Sequence, residues 1–289
     1  MSGIPGTVLP MSWRTGAVLF LTSLVGLAAF GWPLLAEPAG DAVTAHAGDA
    51  PWVFLVLVPL LLVAVVSDAA DGGFDAKAVA LLGVLAACGT ALRVAGAGVT
   101  GFEAVFFLLI PAGRVYGRVF GFVLGALTLL ASALLTGGVG PWLPFQMLGA
   151  AWVGFGAGCL PRARGRAEIG LLAGYAVVVG LAYGLLLNLW FWPFAAPPDS
   201  AVAFVAGDPV LENLRRFVAF HLATSLGWDL PRAAINCLLV VVAGPGVLVA
   251  LRRAGRRAAF GAPVGFAPAV AGQAVNGQGA TGPGAAGGG

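Results

Sequence analysis

Seven polar side chains lie in or beside long apolar stretches of this chain: Arg93, Glu103, Gln146, Asn188, Asp229, Arg232 and Asn236. Charged and amide groups in contact with hydrocarbon are costly, so they are expected to face a bundle interior or a cavity. Their chemistry is hydrogen bonding and ion pairing, the means of holding a solute rather than of breaking a bond. For any one of them the plain alternative is a helix-end residue reaching the headgroups, or a structural pair such as Arg93–Glu103 or Asp229–Arg232. As a group they point to a binding pocket, because Gln146, Asn188 and Asn236 are too short to reach water from a lipid-facing position. Trp142, Trp190 and Trp228 lie near the same positions. They are candidates for stacking on a flat ligand, or members of an interfacial aromatic belt. His221, with Arg215 and Arg216, falls on a short amphipathic stretch, where it either gates the pocket or faces solvent.

Catalysis has little support in the sequence. It contains no Ser/His/Asp set and no His/Cys group at metal-ligand spacing, so no cofactor or metal is expected. There is no G-x-x-x-x-G-K-[ST] phosphate loop. Gly96–Gly101 spells G-x-G-x-x-G but follows a helix-like run with no strand before it, so it reads as a loop over the pocket and not as a dinucleotide site. Cys88, Cys159 and Cys237 sit in or at the ends of apolar runs and read as small packing residues.

The elements that carry these residues are membrane spans. Of 289 residues, 60% are hydrophobic and only 9% charged. The mean hydropathy is +0.97. A soluble domain of this length cannot hide so much apolar surface, and the expected class is an all-α polytopic membrane bundle. Candidate spans cover Thr15–Ala36, Pro51–Ser67, Ala76–Val94, Phe102–Gly113, Val119–Thr136, Trp142–Leu160, Ile169–Trp192 and Leu230–Leu251. The first is long for a signal-peptide core, and Leu34-Leu35-Ala36 is a poor cleavage site, so it is expected to be retained. Phe102–Gly113 is short against the usual range of about 17–25 residues. Leu214–Trp228 reads as an interfacial amphipathic helix. The chain thus divides into a short lead (1–13), two N-terminal spans (14–75), a membrane core (76–253), and a basic then Gly/Ala/Pro-rich tail (254–289) expected to be disordered.

Arginine placement sets the orientation. With eight crossings, Arg14, Lys77, Arg114/Arg118, Arg162–Arg166 and Arg252–Arg257 all lie on one side, cytoplasmic by the positive-inside rule. Both termini are then cytoplasmic, and the polar residues named above gather at the opposite, external face. The same placement makes the +3 net charge a topology signal and excludes a nucleic-acid partner. Gly83, Ala87 and Ala91 recur every four residues along one span. They form a smooth groove for another helix, either a partner's or a neighbour's in the same chain.

From Asp75 to Arg253 the sequence resembles the substrate-binding S components of energy-coupling factor (ECF) transporters. The resemblance rests on Lys77-Ala-Val-Ala-Leu-Leu-Gly83, Gly101-Phe-Glu-Ala-Val-Phe-Phe107 and Gly121-Phe-Val-Leu-Gly125. It continues in Leu135-Thr-Gly-Gly-Val-Gly-Pro-Trp-Leu-Pro-Phe-Gln146 and Trp228-Asp-Leu-Pro-Arg-Ala-Ala-Ile-Asn236. It implies a six-helix core that binds a vitamin or related micronutrient at its external face, energised by a separate T component and two ATPase subunits. It also implies that Gly83, Ala87 and Ala91 stand where the family's A-x-x-x-A motif docks on the T component. The two spans before Asp75 and the tail depart from the minimal family pattern. An aromatic, amide-lined pocket suits a flat or bulky vitamin: a corrinoid such as cobalamin or a precursor first, with riboflavin- or thiamine-like ligands as rivals. A stand-alone secondary transporter is the alternative, but it needs a coupled-ion site near the bilayer midplane, and these polar residues lie further out. A non-transporting assembly protein would need no polar pocket.

Overall fold

The computed structural model describes residues 12–35, 76–96, 103–197 and 199–258. The expected span Pro51–Ser67, most of the Gly96–Gly101 corner and the tail beyond Ala258 lie outside them. Among the described residues the chain is entirely helical, without strands. The helices are α1 (Trp13–Phe30), α2 (Trp32–Leu35), α3 (Ala76–Ala95), α4 (Phe106–Tyr116) and α5 (Arg118–Thr136). They continue with α6 (Leu143–Cys159), α7 (Gly165–Ala195), α8 (Val210–Thr224), α9 (Leu226–Val242) and α10 (Gly244–Ala258). This is an all-α bundle of the polytopic membrane kind. By length and hydropathy α1, α3, α5 and α7 can each cross a membrane, and α8 with α9 makes a fifth candidate bent by 66°.

The short helix α4 occupies the centre. Ten of its 11 residues are buried, and it is enclosed by α5, α6, α7, α9 and α10. A helix surrounded by protein needs no lipid-matched length, which explains why so short an apolar run can sit there. Around it α5 and α6 approach to backbone contact. A Cβ on Gly121 would stand 2.3 Å from the Gly154 carbonyl oxygen, and one on Gly154 would stand 2.1 Å from that of Gly121. Here small residues let two helices meet without side chains between them. The α4–α5 turn passes through Gly117, whose φ of 99° lies in the region that favours glycine.

The N-terminal helix belongs to the same body. The indole N–H of Trp152 on α6 donates to Ser23 Oγ on α1 at 3.0 Å, and Phe30 packs on Phe145 and Trp152 with ring centroids 5.1 and 5.7 Å away.

Four sequence expectations are revised. The last span, read as Leu230–Leu251, is two helices broken at Ala243. Pro245 has no N–H for the Val241 carbonyl, and its ring would crowd that carbonyl in a continuous helix. The amphipathic stretch read as Leu214–Trp228 runs instead over Val210–Thr224, and Trp228 falls in α9. The helix also continues past Arg253 to Ala258, beyond the expected end of the membrane core. Cys88 and Cys159 are exposed on the outside of the bundle rather than packed within it, and all three cysteines are free.

Candidate solute-binding network

The polar residues separate to the two ends of the bundle. At one end lie the C-terminal turns of α3, α5 and α7 and the starts of α4, α6 and α9. From these, and from α8 beside them, eight of the side chains singled out above form one continuous network.

Arg93 on α3 donates through Nη1 to Ser132 Oγ on α5 at 2.9 Å and through Nη2 to Gln146 Oε1 on α6 at 3.2 Å. Its Nε lies 3.7 Å from Glu103 Oε1. The other carboxylate oxygen of Glu103 accepts from Arg232 Nε on α9 at 2.7 Å. Arg232 also donates to Asp229 Oδ1 at 2.5 Å and to the Gly180 carbonyl at 3.4 Å, and its guanidinium lies 5.2 Å above the Tyr183 ring. Asp229 Oδ2 sits 3.7 Å from His221 Nε2 on α8. The other ring nitrogen of His221 faces Asn188 Nδ2 at 3.1 Å, and Asn188 donates to Ser225 Oγ as well. Asn236 clamps the entry to α4. Its amide oxygen accepts from the Phe107 N–H at 2.7 Å, and its Nδ2 donates to the Glu103 and Arg232 carbonyls at 2.7 and 2.8 Å.

Local structure explains how each group arrives. Arg232 and Asn236 are four residues apart on α9 and share a face, with Asp229 one turn before them. Glu103 precedes α4, and the Asn236 amide gives the Phe107 N–H a closer acceptor, at 2.7 Å, than the Ala104 carbonyl it reaches in the first turn at 3.2 Å. The bend at Ser225 turns α8 over this end, and the preceding loop holds it down. Asn213 brackets Val205, accepting from its N–H at 3.1 Å and donating to its carbonyl at 2.8 Å. Arg216 pairs with Asp208 at 2.6 Å, and the Trp192 indole donates to the Val202 carbonyl at 2.6 Å. Arg216 is thus committed to the loop, while Arg215 forms an exposed pair with Glu212.

Exposure grades across the network. The Arg93 and Glu103 side chains are 22% and 18% exposed, whereas that of Asp229 is 3% exposed. Two guanidiniums face two carboxylates, so the charges balance and no bare anion is called for. Yet Arg93 Nε, Tyr183 Oη and Asp229 Oδ2 are buried without a hydrogen-bond partner among the described residues. Buried polar atoms are nearly always partnered. Arg93 Nε and Asp229 Oδ2 meet only ion-pair partners at 3.7 Å, and with Tyr183 Oη they leave hydrogen-bonding capacity in the cluster that its own side chains do not use.

The tryptophans behave differently. Trp190 is buried and stacked on Phe145 with centroids 4.4 Å apart, in the aromatic core behind the network. Trp142 and Trp228 are exposed, and the Trp142 indole donates to the Gly138 carbonyl. Sequence reasoning did not single out Ser132, Tyr183 and Ser225. Hydroxyls of this kind are common in apolar helices and give no composition signal.

At the opposite end Glu168, only 3% exposed, accepts from Arg114 Nε at 2.9 Å and from Arg252 Nη2 at 2.7 Å. Arg114 also donates to the Leu160 and Pro161 carbonyls, which ties α4 to the α6–α7 turn. Sequence reasoning missed this cluster, because one glutamate among flanking arginines reads as a solvated span end.

No family model, curated protein or solved structure matches this chain.

Proposed function

We propose that this chain is the substrate-binding membrane subunit of an ECF-type importer for a vitamin or related micronutrient, a corrinoid being the first candidate. The observation that carries the proposal is the single polar network at one end of the bundle, partly exposed at Arg93 and Glu103 and holding three buried polar atoms without a hydrogen bond among the described residues. On this reading the network's end of the bundle is external, and a solute enters between Arg93, Glu103 and Gln146 while α8 covers the His221–Asn188 side. The balanced charges favour a neutral or zwitterionic solute rich in hydrogen-bonding groups. Such a subunit lacks its own engine, and the proposal assigns energy supply to a T component and two ATPase subunits.

Gln146 and Asn188 test the pocket without dismantling the fold, because Arg93 keeps Ser132 and Glu103 when Gln146 is removed. Gln146→Ala and Asn188→Ala are expected to be produced and inserted as the parent chain is. Each should weaken retention of the solute by about tenfold or more, the scale of a lost hydrogen bond to a charged or buried group. The check is equilibrium binding of the purified protein to a panel of cobalamin, cobinamide, riboflavin and thiamine. Unchanged affinity in both variants would remove the network from solute binding.

The docking expectation gains support from the surface of α3. Ala78, Leu82, Leu85, Ala86, Gly89 and Thr90 form its buried side, with Gly89 and Thr90 against Thr128 of α5, whereas Gly83, Ala87 and Ala91 are exposed. A Cβ on Gly83 would meet nothing within 4 Å. Gly83→Leu should therefore leave folding and solute binding intact and abolish co-purification with the T component and ATPases. Normal co-purification would show that this stripe is not the docking face.

A further inference from the structure

The arginine-rich end carries a second feature that the solute network does not use. Between the first turns of α7 and the α9–α10 junction lies a cavity of about 640 Å3. This volume falls within the roughly 300–1,000 Å3 usual for small-molecule sites. Most of its wall is apolar, including Ile169, Val241 and Leu248, while Arg166, Glu168 and Arg252 occupy one end. Val241 is 50% exposed, so the apolar part opens on the flank of the bundle, where acyl chains lie if the helices span a bilayer.

Charge decides what fits. Glu168 is already held by Arg114 and Arg252. Arg166 is exposed and has no ion-pair partner among the described residues. Arg166 and Arg252 against one carboxylate, with Arg114 behind Glu168, leave this end of the cavity positive, and the first turn of α7 adds backbone N–H groups beside Arg166. Arg118, Arg162, Arg164, Arg253, Arg256 and Arg257 are exposed at the same end of the bundle. An apolar trough that opens sideways and ends in guanidiniums matches a molecule with an acyl chain at one end and a phosphate at the other. Basic pockets between membrane helices hold such headgroups.

We infer that this cavity binds one anionic phospholipid, its acyl chain along Ile169, Val241 and Leu248 and its phosphate between Arg166 and Arg252. A lipid seated there would bridge the start of α7 to the α9–α10 break and brace the bundle at the end opposite the solute network. The inference does not depend on what that network binds.

The test is native mass spectrometry of the full-length protein in detergent with added phosphatidylglycerol or phosphatidylcholine. One phosphatidylglycerol should be retained per chain under conditions that strip phosphatidylcholine. Arg166→Ala should weaken that retention about fivefold, the loss of one arginine's attraction to an anionic headgroup. Arg166→Lys should restore most of it, and Arg164→Ala, outside the cavity lining, should leave it unchanged. Equal retention of the two lipids, an unaffected Arg166→Ala variant, or an equal loss in Arg164→Ala would overturn the assignment. Displacement of the lipid by inorganic phosphate alone would also overturn it, since the apolar trough would then contribute nothing.

Discussion

Arg232→Met is expected to destabilise the bundle by about 3–5 kcal/mol, the usual result of removing one partner from a buried ion-paired cluster. Arg232 is 8% exposed and is the group on which Glu103 and Asp229 both depend. Without it Asp229, 2% exposed, keeps only a histidine 3.7 Å away, and Glu103 keeps only the 3.7 Å contact with Arg93. Methionine fills much of the volume and can lie against Tyr183, so the loss would report charge rather than a cavity. The apparent melting temperature of the detergent-solubilised protein, followed by size-exclusion chromatography after heating, measures the effect. Adding Glu103→Gln and Asp229→Asn to Arg232→Met should recover a substantial part of the loss, because the uncompensated charges are then gone. A single variant as stable as the parent would mean that the cluster is hydrated and open rather than buried.

Gly154→Ala is the second large effect, and its cause is steric. The new methyl would lie 2.1 Å from the Gly121 carbonyl oxygen and 2.5 and 2.9 Å from that residue's carbonyl carbon and Cα. All three atoms are backbone, so no side chain can rotate away and α5 and α6 must separate. Overpacking of a close-packed interior costs about 1–3 kcal/mol and occasionally more, and a clash between two helix backbones belongs at or above the top of that range. Because α5 and α6 enclose α4, the displacement should also reach Glu103 and Asn236 and disturb the polar network that the proposed function assigns to a solute. Gly170→Ala is the matched control, since a Cβ there meets nothing within 4 Å. Equal melting temperatures for Gly154→Ala and Gly170→Ala would contradict the close approach.

Much of this arrangement was legible in the sequence, for identifiable reasons. The apolar excess dictates membrane helices. The arginine groups sort the helix ends into two sets, and helical rise then places Arg93, Glu103, Gln146, Asn188, Asp229, Arg232 and Asn236 toward the other end. What the pattern could not supply was side-chain direction. Trp142, Trp190 and Trp228 lie at comparable depth, but Trp190 turns inward onto Phe145 while the other two are exposed. Helix breaks were also obscured. Gly244-Pro245-Gly246 is apolar enough to be absorbed into a span when hydropathy is averaged, although a proline between two glycines weakens the helix there, whereas Pro111 and Pro231 stay inside continuous helices. Glu168 was hidden for the opposite reason. Its partners, Arg114 and Arg252, are 54 and 84 residues away in the chain, and only the packing of α4, α7 and α10 brings them together.

The central claim is that the Arg93–Glu103–Arg232–Asp229 network and its amide neighbours hold a vitamin-like solute. The most direct measurement is mass spectrometry of small molecules released on denaturing the full-length protein, purified from cells grown in rich medium. The account predicts one vitamin-sized compound, released in proportion to protein from the parent chain and strongly depleted in Gln146→Ala. The same set of small molecules from both proteins, with no compound scaling with the amount of parent chain, would contradict it.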